Sequence, residues 1–287
     1  MNNIVIGVSG KIGSYYLKFS KNKNNIFFSR KLNKKKKIQK FNIFKDDINN
    51  FYSKKKTSSA VLFTAISDPH TCLKNKKLSF DINIKYTKMI IDSFVSNNIY
   101  FVFFSSEYVY EGEKYISYNE ESKINTKMLY GKQKIKIEKY IKKKTKNYAI
   151  LRLAKTYGHE INDNTLFTNN LRKYSEYKTR KFEVANDQYF KPLYVKDLIQ
   201  IIDIFTKKKI KGTYNICGDQ YFSRFDLIFK MFKKLSIKDI EMSSCSIKKF
   251  DNGISFPKYL NLSNNKIKRK IGFKFTKFES ILKKINV

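Results

Sequence analysis

The sequence predicts an α/β fold built on a doubly wound parallel sheet, with a small C-terminal lobe. Three observations carry that expectation. Short apolar runs alternate with helical periodicities as far as Ala154. A glycine-rich turn separates the first run from the first helix. Beyond Tyr157-Gly158 the rhythm changes to shorter, mixed segments.

Ile4-Val5-Ile6 predicts the first strand. It enters Gly7-Val8-Ser9-Gly10-Lys11-Ile12-Gly13, which holds three of the chain's ten glycines. Such a turn brings backbone N–H groups close to a pyrophosphate at a helix N-terminus. Gly7, Ser9, Gly10, Lys11, Ile12 and Gly13 are the expected dinucleotide cradle, and the sheet is expected to be Rossmann-like. The spacing is Gly-x-x-Gly-x-x-Gly rather than Gly-x-Gly-x-x-Gly, and a purely structural turn is the alternative. Ile26-Phe27-Phe28 predicts the second strand, ending at Ser29-Arg30-Lys31. No acidic residue stands there to bond a ribose 2′-hydroxyl. Arg30 suits a 2′-phosphate instead, so NADP(H) is expected, with NAD(H) as second choice.

Lys34 to Lys37 is a charge run, read as a solvated loop or helix start. Ile43-Phe44, before Asp46-Asp47, predicts a short third strand. Val61 to Ala65 predicts the fourth. Thr64, Ala65 and Ile66 at its end are expected beside the cofactor, and Ser67 near the substrate. Leu78 to Val95 is helical by periodicity and carries Asn83, placed to reach back toward the cofactor.

Tyr100 to Phe104 reads as a buried strand that ends in Ser105-Ser106-Glu107. A loop with Gly112 follows, and then Tyr130-Gly131-Lys132-Gln133-Lys134 opens a helix through Ile137, Glu138 and Ile141. Four residues apart, Tyr130 and Lys134 share a helix face. With Ser106 they would bring an alcohol, a phenol and an ammonium above one strand end, a trio able to protonate a carbonyl oxygen. The Tyr-Lys spacing alone is unspecific, because Tyr52, Tyr110, Tyr140, Tyr174 and Tyr177 also have a lysine four residues on. Only Tyr130 lies one loop beyond a buried strand ending in two serines.

Ala149 to Ala154 predicts a sixth strand. Right-handed connections put the glycine turn at the central switch point. Further on, helices are expected at Leu166 to Tyr177, from Leu198 to Phe205, at Phe225 to Leu235 and near Phe278. Strands are expected at Lys181 to Val184 and at Thr213 to Gly218, the latter returning to the sheet. Residues 1–157, rejoined by about 196–217, are read as the dinucleotide domain, and 158–195 with 218–287 as the substrate lobe.

The formal charge of +36 raises nucleic acid as a partner. Yet the basic residues are nearly all lysine, with six arginines, and they are spread along the whole chain. Arginine is the usual residue for bidentate phosphate and base contacts. The charge is therefore read as solvated surface that steers an anionic small substrate. Cys72, Cys217 and Cys245 are too few and too scattered for a disulfide framework. No apolar run approaches membrane-spanning length, and the N-terminal apolar stretch is too short for a signal peptide. A cytoplasmic protein with no membrane or metal partner is expected, and a homodimer is compatible with the chain.

The order of these signals resembles the extended short-chain dehydrogenase/reductases, most of all the dTDP-4-dehydrorhamnose reductase branch. Gly7-x-x-Gly10-x-x-Gly13 and Phe104-Ser105-Ser106-Glu107-Tyr108-Val109-Tyr110-Glu111-Gly112 carry the resemblance. Tyr118-x-Glu120, Tyr130-Gly131-Lys132-x-Lys134, Ile150-Leu151-Arg152 and Asn186-Asp187-Gln188 complete it. It implies NADPH-dependent reduction of a 4-keto group on a nucleotide-activated sugar, as in polysaccharide biosynthesis. It assigns Tyr130 as proton donor and Ser106 as hydrogen-bond donor to the carbonyl. Lys134 is expected to bond the nicotinamide ribose and, together with the positive charge of the oxidised nicotinamide, to lower the phenol's pKa, and Glu107 to bond sugar hydroxyls. The branch usually has aspartate at the places of Glu107 and Glu111, Asn-Ala-Ala at Thr64-Ala65-Ile66, and an aromatic against the sugar near Lys155. Lys155 is accordingly expected at the substrate. The same fold also carries epimerases and dehydratases, and a regulatory subunit of methionine adenosyltransferase.

Overall fold

The structure is a computed structural model that describes residues 1–34, 37–160, 163 and 165–285; Lys35 and Lys36 of the charge run lie outside these. The chain begins with β1 (Asn2–Ile6), the glycine turn and α1 (Lys11–Phe19), then β2 (Asn25–Ser29) and β3 (Ile38–Lys40). Next come β4 (Thr57–Leu62), α2 (Pro69–Lys74), α3 (Lys76–Phe80), a π-helical turn at Asp81–Tyr86 and α4 (Thr87–Ser96). β5 (Tyr100–Ser106), β6 (Ser117–Tyr118), α5 (Leu129–Lys144) and β7 (Tyr148–Leu153) follow.

The large sheet has the strand order β12-β7-β5-β4-β1-β2-β3, where β12 is the late strand Gly212–Ile216. Pairings of β1 with β2, β1 with β4, β2 with β3, and β4 with β5 are all parallel. The chain winds outward from β1 to β3, then crosses back to β4 on the other side. That reversal places the glycine turn after β1 at the switch point. The expected doubly wound sheet is what the chain forms.

Local chemistry explains the elements. All seven residues of β5 are buried, as aromatic and β-branched side chains in a strand covered on both faces should be. Asp68 caps α2 by accepting from Thr71 N, with Pro69 in the first turn. The main cluster joins Ile4, Phe28, Phe94, Phe101, Ile137 and Ile150. Each fully buried side chain of this size contributes about 2 kcal/mol.

Two expected strands are displaced. The fourth is Thr57–Leu62 rather than Val61 to Ala65, because its polar start, Thr57 and Ser59, pairs with Asn2 and Asn3 of β1. Ile43 and Phe44 lie in a turn, and the third strand is Ile38–Lys40, paired with Phe27 to Ser29. Ile38 alone is buried there, so the lysines before it masked a weak period-two signal.

Past β7 come β8 (Thr156–Tyr157), α6 (Leu166–Ser175), β9 (Lys181–Ala185), β10 (Tyr189–Phe190) and β11 (Leu193–Tyr194). Then come α7 (Val195–Lys208), β12 (Gly212–Ile216), β13 (Phe222–Ser223), α8 (Arg224–Lys234) and β14 (Glu241–Cys245). β15 (Tyr259–Leu262), α9 (Asn265–Ile271) and α10 (Phe278–Leu282) close the chain.

Two compact units result. One comprises Met1–Val109, Lys127–Arg152 and Ile199–Tyr214; the other comprises Tyr110–Thr126, Leu153–Leu198 and Asn215–Val287. The second unit carries a four-stranded sheet, β13-β10-β15-β6, and the pairs β11-β8 and β14-β9. Asp187 and Gln188 hold its loops together. The Asp187 carboxylate accepts from Ile247 N at 2.6 Å, Ser246 Oγ at 2.7 Å and Lys258 Nζ at 2.7 Å. Gln188 Oε1 accepts from Arg224 Nε at 2.9 Å, and its Nε2 donates to the Pro257 carbonyl at 3.3 Å. Burial acts to raise the Asp187 carboxyl, but these hydrogen bonds outweigh it and hold the group below its ordinary value.

Candidate active site

The glycines of the first turn have three different reasons to be glycine. Gly7 sits at φ +89°, and a Cβ there would lie 2.8 Å from Thr64 N, where the segment after β4 passes. A Cβ on Gly13 would lie 2.5 Å from the Gly7 carbonyl and 2.8 Å from Val8 Cα, so its absence seats α1 on the turn. Gly10 is different. A Cβ there would meet only the Gly7 carbonyl, at 3.5 Å, and Gly10 caps α1 without any side-chain hydrogen bond. Packing therefore demands Gly7 and Gly13 but leaves Gly10 open, as a cradle for an anionic group at a helix N-terminus requires.

Ser9, Gly10, Lys11 and Arg30 are exposed around this turn, and Ile12 is half-buried. Thr64, Ala65 and Ile66 are half-buried past the end of β4, followed by exposed Ser67. Asn83 is buried in the π-helical turn, a helix defect often found at functional sites. Its amide grips the Ile66 backbone at both polar atoms, accepting from N at 2.8 Å and donating to O at 2.9 Å. It also donates to Gln133 Oε1 at 2.7 Å, and Gln133 Nε2 donates to Ser79 Oγ at 3.0 Å. Asn83 thus fixes the segment after β4 to the helix that bears Tyr130.

Tyr130 and Lys134 lie on one face of α5, both buried. The ammonium of Lys134 stands 5.5 Å from the Tyr130 ring centroid and 4.7 Å from that of Phe103. It donates to the Phe104 carbonyl of β5 at 2.8 Å. Ser106 is two residues further along β5, and its Oγ accepts from Tyr108 N at 3.2 Å, so its proton remains available to donate. The neighbouring Ser105 Oγ is buried with no hydrogen-bond partner among the described residues. Glu107 is buried in the short turn that follows. Lys155 belongs to the second unit, where its ammonium lies 5.6 Å from the Phe190 ring centroid.

Burial dominates the electrostatics here. Burial raises the Tyr130 phenol well above its ordinary value, and the nearby Cys72 thiol and Tyr108 phenol push it the same way. Burial likewise pushes the Lys134 amine down, to about 8, against the opposing effect of Cys72 and Glu138. The Lys134 charge is thus disfavoured by burial and directed at the Phe104 carbonyl. The sequence reading also missed Cys72, Gln133 and Glu138 as neighbours. Glu138, one turn past Lys134, was the most accessible of these signals.

The doubly wound sheet with the glycine turn at its switch point is the fold of the extended short-chain dehydrogenase/reductases. Within that class, a family model described as "RmlD substrate binding domain" matches residues 1–286, and the chain belongs to that family. A crystal structure of a dTDP-4-dehydrorhamnose reductase from Clostridium acetobutylicum superposes with a TM-score of 0.83 at 24% identity, covering 99% of this chain and 98% of that one. One from Bacillus anthracis, in complex with NADP, gives a TM-score of 0.81 at 21% identity, covering 99% of both chains. At these identities the likeness is one of fold. The spore coat polysaccharide biosynthesis protein SpsK of Bacillus subtilis is 27% identical over 168 residues, 58% of this chain and 57% of that protein. Methionine adenosyltransferase 2 subunit beta of Xenopus tropicalis is 25% identical over 137 residues, 46% of this chain and 41% of that protein. The chain thus spans about half the length of these two relatives. Among the described residues no helix is long and apolar enough to cross a membrane.

Proposed function

We propose that the chain is an NADP(H)-dependent reductase of a keto group on a nucleotide-activated sugar, converting a 4-keto to a 4-hydroxy sugar. The observation that carries this reading is the buried pairing of Tyr130 and Lys134 against β5, whose last residue is Ser106. Family membership and the NADP complex of the Bacillus anthracis reductase support it. A nicotinamide dinucleotide fits the glycine turn, because Gly10 leaves the end of α1 uncovered. When bound, it supplies the hydride.

The remaining chemistry falls to this chain's own side chains. Gly7 to Gly13 would hold the pyrophosphate, Arg30 a 2′-phosphate, and Thr64 to Ile66 the middle of the dinucleotide. Lys134 would bond the nicotinamide ribose. Ser106 would donate to the substrate carbonyl and fix it for attack. Tyr130 would deliver the proton to the same oxygen as the alkoxide forms. A phenol held high by burial stays protonated until negative charge develops beside it, which suits a donor. Ser67 and Glu107 would contact the sugar.

The test is NADPH oxidation against a panel of nucleotide-linked 4-keto sugars, with product analysis. Stoichiometric NADPH consumption and a 4-hydroxy product are expected. Turnover without net consumption would point to an epimerase or dehydratase instead. A second reading, a non-catalytic regulatory subunit, is favoured by the likeness to methionine adenosyltransferase 2 subunit beta. Capture of a partner enzyme, with no sugar of the panel reduced, would select it.

A further inference from the structure

α5 carries three titratable side chains in one stripe, Tyr130, Lys134 and Glu138, each four residues from the next. Glu138 is fully buried, and its carboxylate interacts with three cations. Lys142, one turn on, stays at 4.0 Å with its ammonium partly in solvent. Lys134, one turn back, turns its ammonium to the Phe104 carbonyl at 2.8 Å. Arg152 reaches in from β7 and takes both oxygens. Its Nε donates to Oε1 at 3.0 Å and its Nη2 to Oε2 at 2.7 Å, with the guanidinium 1% exposed.

We propose that Arg152 is a positioning residue for Lys134: by occupying both oxygens of Glu138, it keeps that carboxylate from capturing the Lys134 ammonium and leaves the amine beside Tyr130. A residue so placed touches neither substrate nor cofactor and acts through its neighbour.

Chemistry and composition both argue for arginine in this role. A guanidinium is charged at every working pH and matches a carboxylate with two parallel donors, whereas a buried lysine loses its proton readily. This chain uses lysine almost everywhere, with six arginines among its 60 basic residues. One of those six stands at a fully buried site and meets both carboxylate oxygens with two donors. The groups facing Lys134 are Tyr130 and Glu138 from α5, Cys72 from α2, and the Phe103 ring and Phe104 carbonyl from β5. Glu138 in turn faces Arg152 and Tyr148 from β7 and Lys142 from its own helix. Cys72 raises the Lys134 amine when it ionises, but burial holds that thiol up at about 11. Glu138 is therefore the anion able to capture Lys134 below that pH, and Arg152 is the group that prevents it.

The inference gives the amine its use through the proposed reductase reaction, and its test does not need that reaction. The full-length protein, carrying lysine labelled with ¹³C at Cε, is titrated by NMR from pH 6 to 11; the Lys134 signal is identified by its loss in Lys134→Met. Arg152→Met should raise the Lys134 midpoint by about one pH unit or more, as the freed carboxylate turns to the ammonium. Glu138→Gln should lower it. The double variant should match Glu138→Gln within roughly 0.3 units, because Arg152 acts only through Glu138. Should Arg152→Met not fold, Arg152→Lys serves: it keeps a charge without the fork, and a smaller rise is expected. A folded Arg152 variant with an unmoved midpoint, or a double variant far from Glu138→Gln, overturns the inference. If the midpoints move as expected and no nucleotide sugar is reduced, the functional reading falls and the inference stands. If reduction does occur, the alkaline limb of its pH profile should move with the Lys134 midpoint.

Discussion

At the Asp187-Gln188 corner, both side chains are tied to protein partners, while the end of β5 and the start of α5 leave theirs under-paired. Asp187 accepts three hydrogen bonds from Ile247, Ser246 and Lys258, and Gln188 joins Arg224 to Pro257. At β5 and α5, Ser105 Oγ is buried without a partner among the described residues, and the Lys134 amine is pushed down to about 8 by burial. Buried polar groups are normally satisfied, and exceptions cluster where a protein works on something else. The sequence marks both stretches as motifs. Pairing separates them: one is a fastener, and the other keeps groups to offer, as the proposed site requires.

Variants can break that distinction. The largest expected effect is at Tyr130. Tyr130→Phe should lower turnover at least about a hundredfold with NADPH affinity unchanged, read by steady-state kinetics and cofactor fluorescence. Unchanged turnover removes the phenol from the role.

Lys134 is expected to act on chemistry and stability in opposite directions. Its amine lies at about 8 in the fold against an ordinary 10.5. Between those values the unfolded chain holds a proton that the folded chain lacks, so stability rises with pH across that window. Below it the fold carries the whole penalty, of order 3 kcal/mol. Lys134→Met should therefore abolish turnover yet gain about 2 kcal/mol in denaturant unfolding at pH 7, after losing the bond to Phe104. That gain should vanish by pH 11. A gain that does not depend on pH would contradict the linkage.

The glycines sharpen the comparison within one turn. Gly13→Ala should cost about 3 kcal/mol, because its Cβ meets backbone on both sides. Gly10→Ala should leave the melting temperature nearly unchanged and weaken dinucleotide binding instead. Asp187→Ala should cost about 2 kcal/mol of stability. Any activity it retains at low temperature should keep the pH profile of the parent. The smallest effect expected is at Arg30. Arg30→Ala should weaken NADPH about tenfold and leave NADH unaffected, the loss of one charge-assisted phosphate contact.

Much of this was legible from residues alone. β1, the glycine turn, β5, α5 and the late strand β12 fall where apolar runs and periodicity put them, whereas β4 starts earlier, at Thr57, and ends at Leu62. β3 was misplaced because a three-residue edge strand buries one side chain, Ile38, too little for a periodic signal. Asn83 was expected to reach toward the cofactor; its grip on Ile66 and Gln133 depends on a π-helical turn that no spacing rule announces. That burial holds the Tyr130 phenol high was not legible either, for a related reason. Burial of Tyr130 and of Lys134 is a property of everything packed over them.

The sequence by itself determined the winding of the sheet, the glycine turn at its centre and the helix face shared by Tyr130, Lys134 and Glu138. These follow from periodicity and backbone sterics, which act over a few residues. Only the tertiary structure decided that Arg152 claims Glu138, that Lys134 turns to Phe104, and that Asp187 is a fastener. Hydrogen-bond pairing and desolvation are set by neighbours far away in the chain, and a linear pattern does not record them.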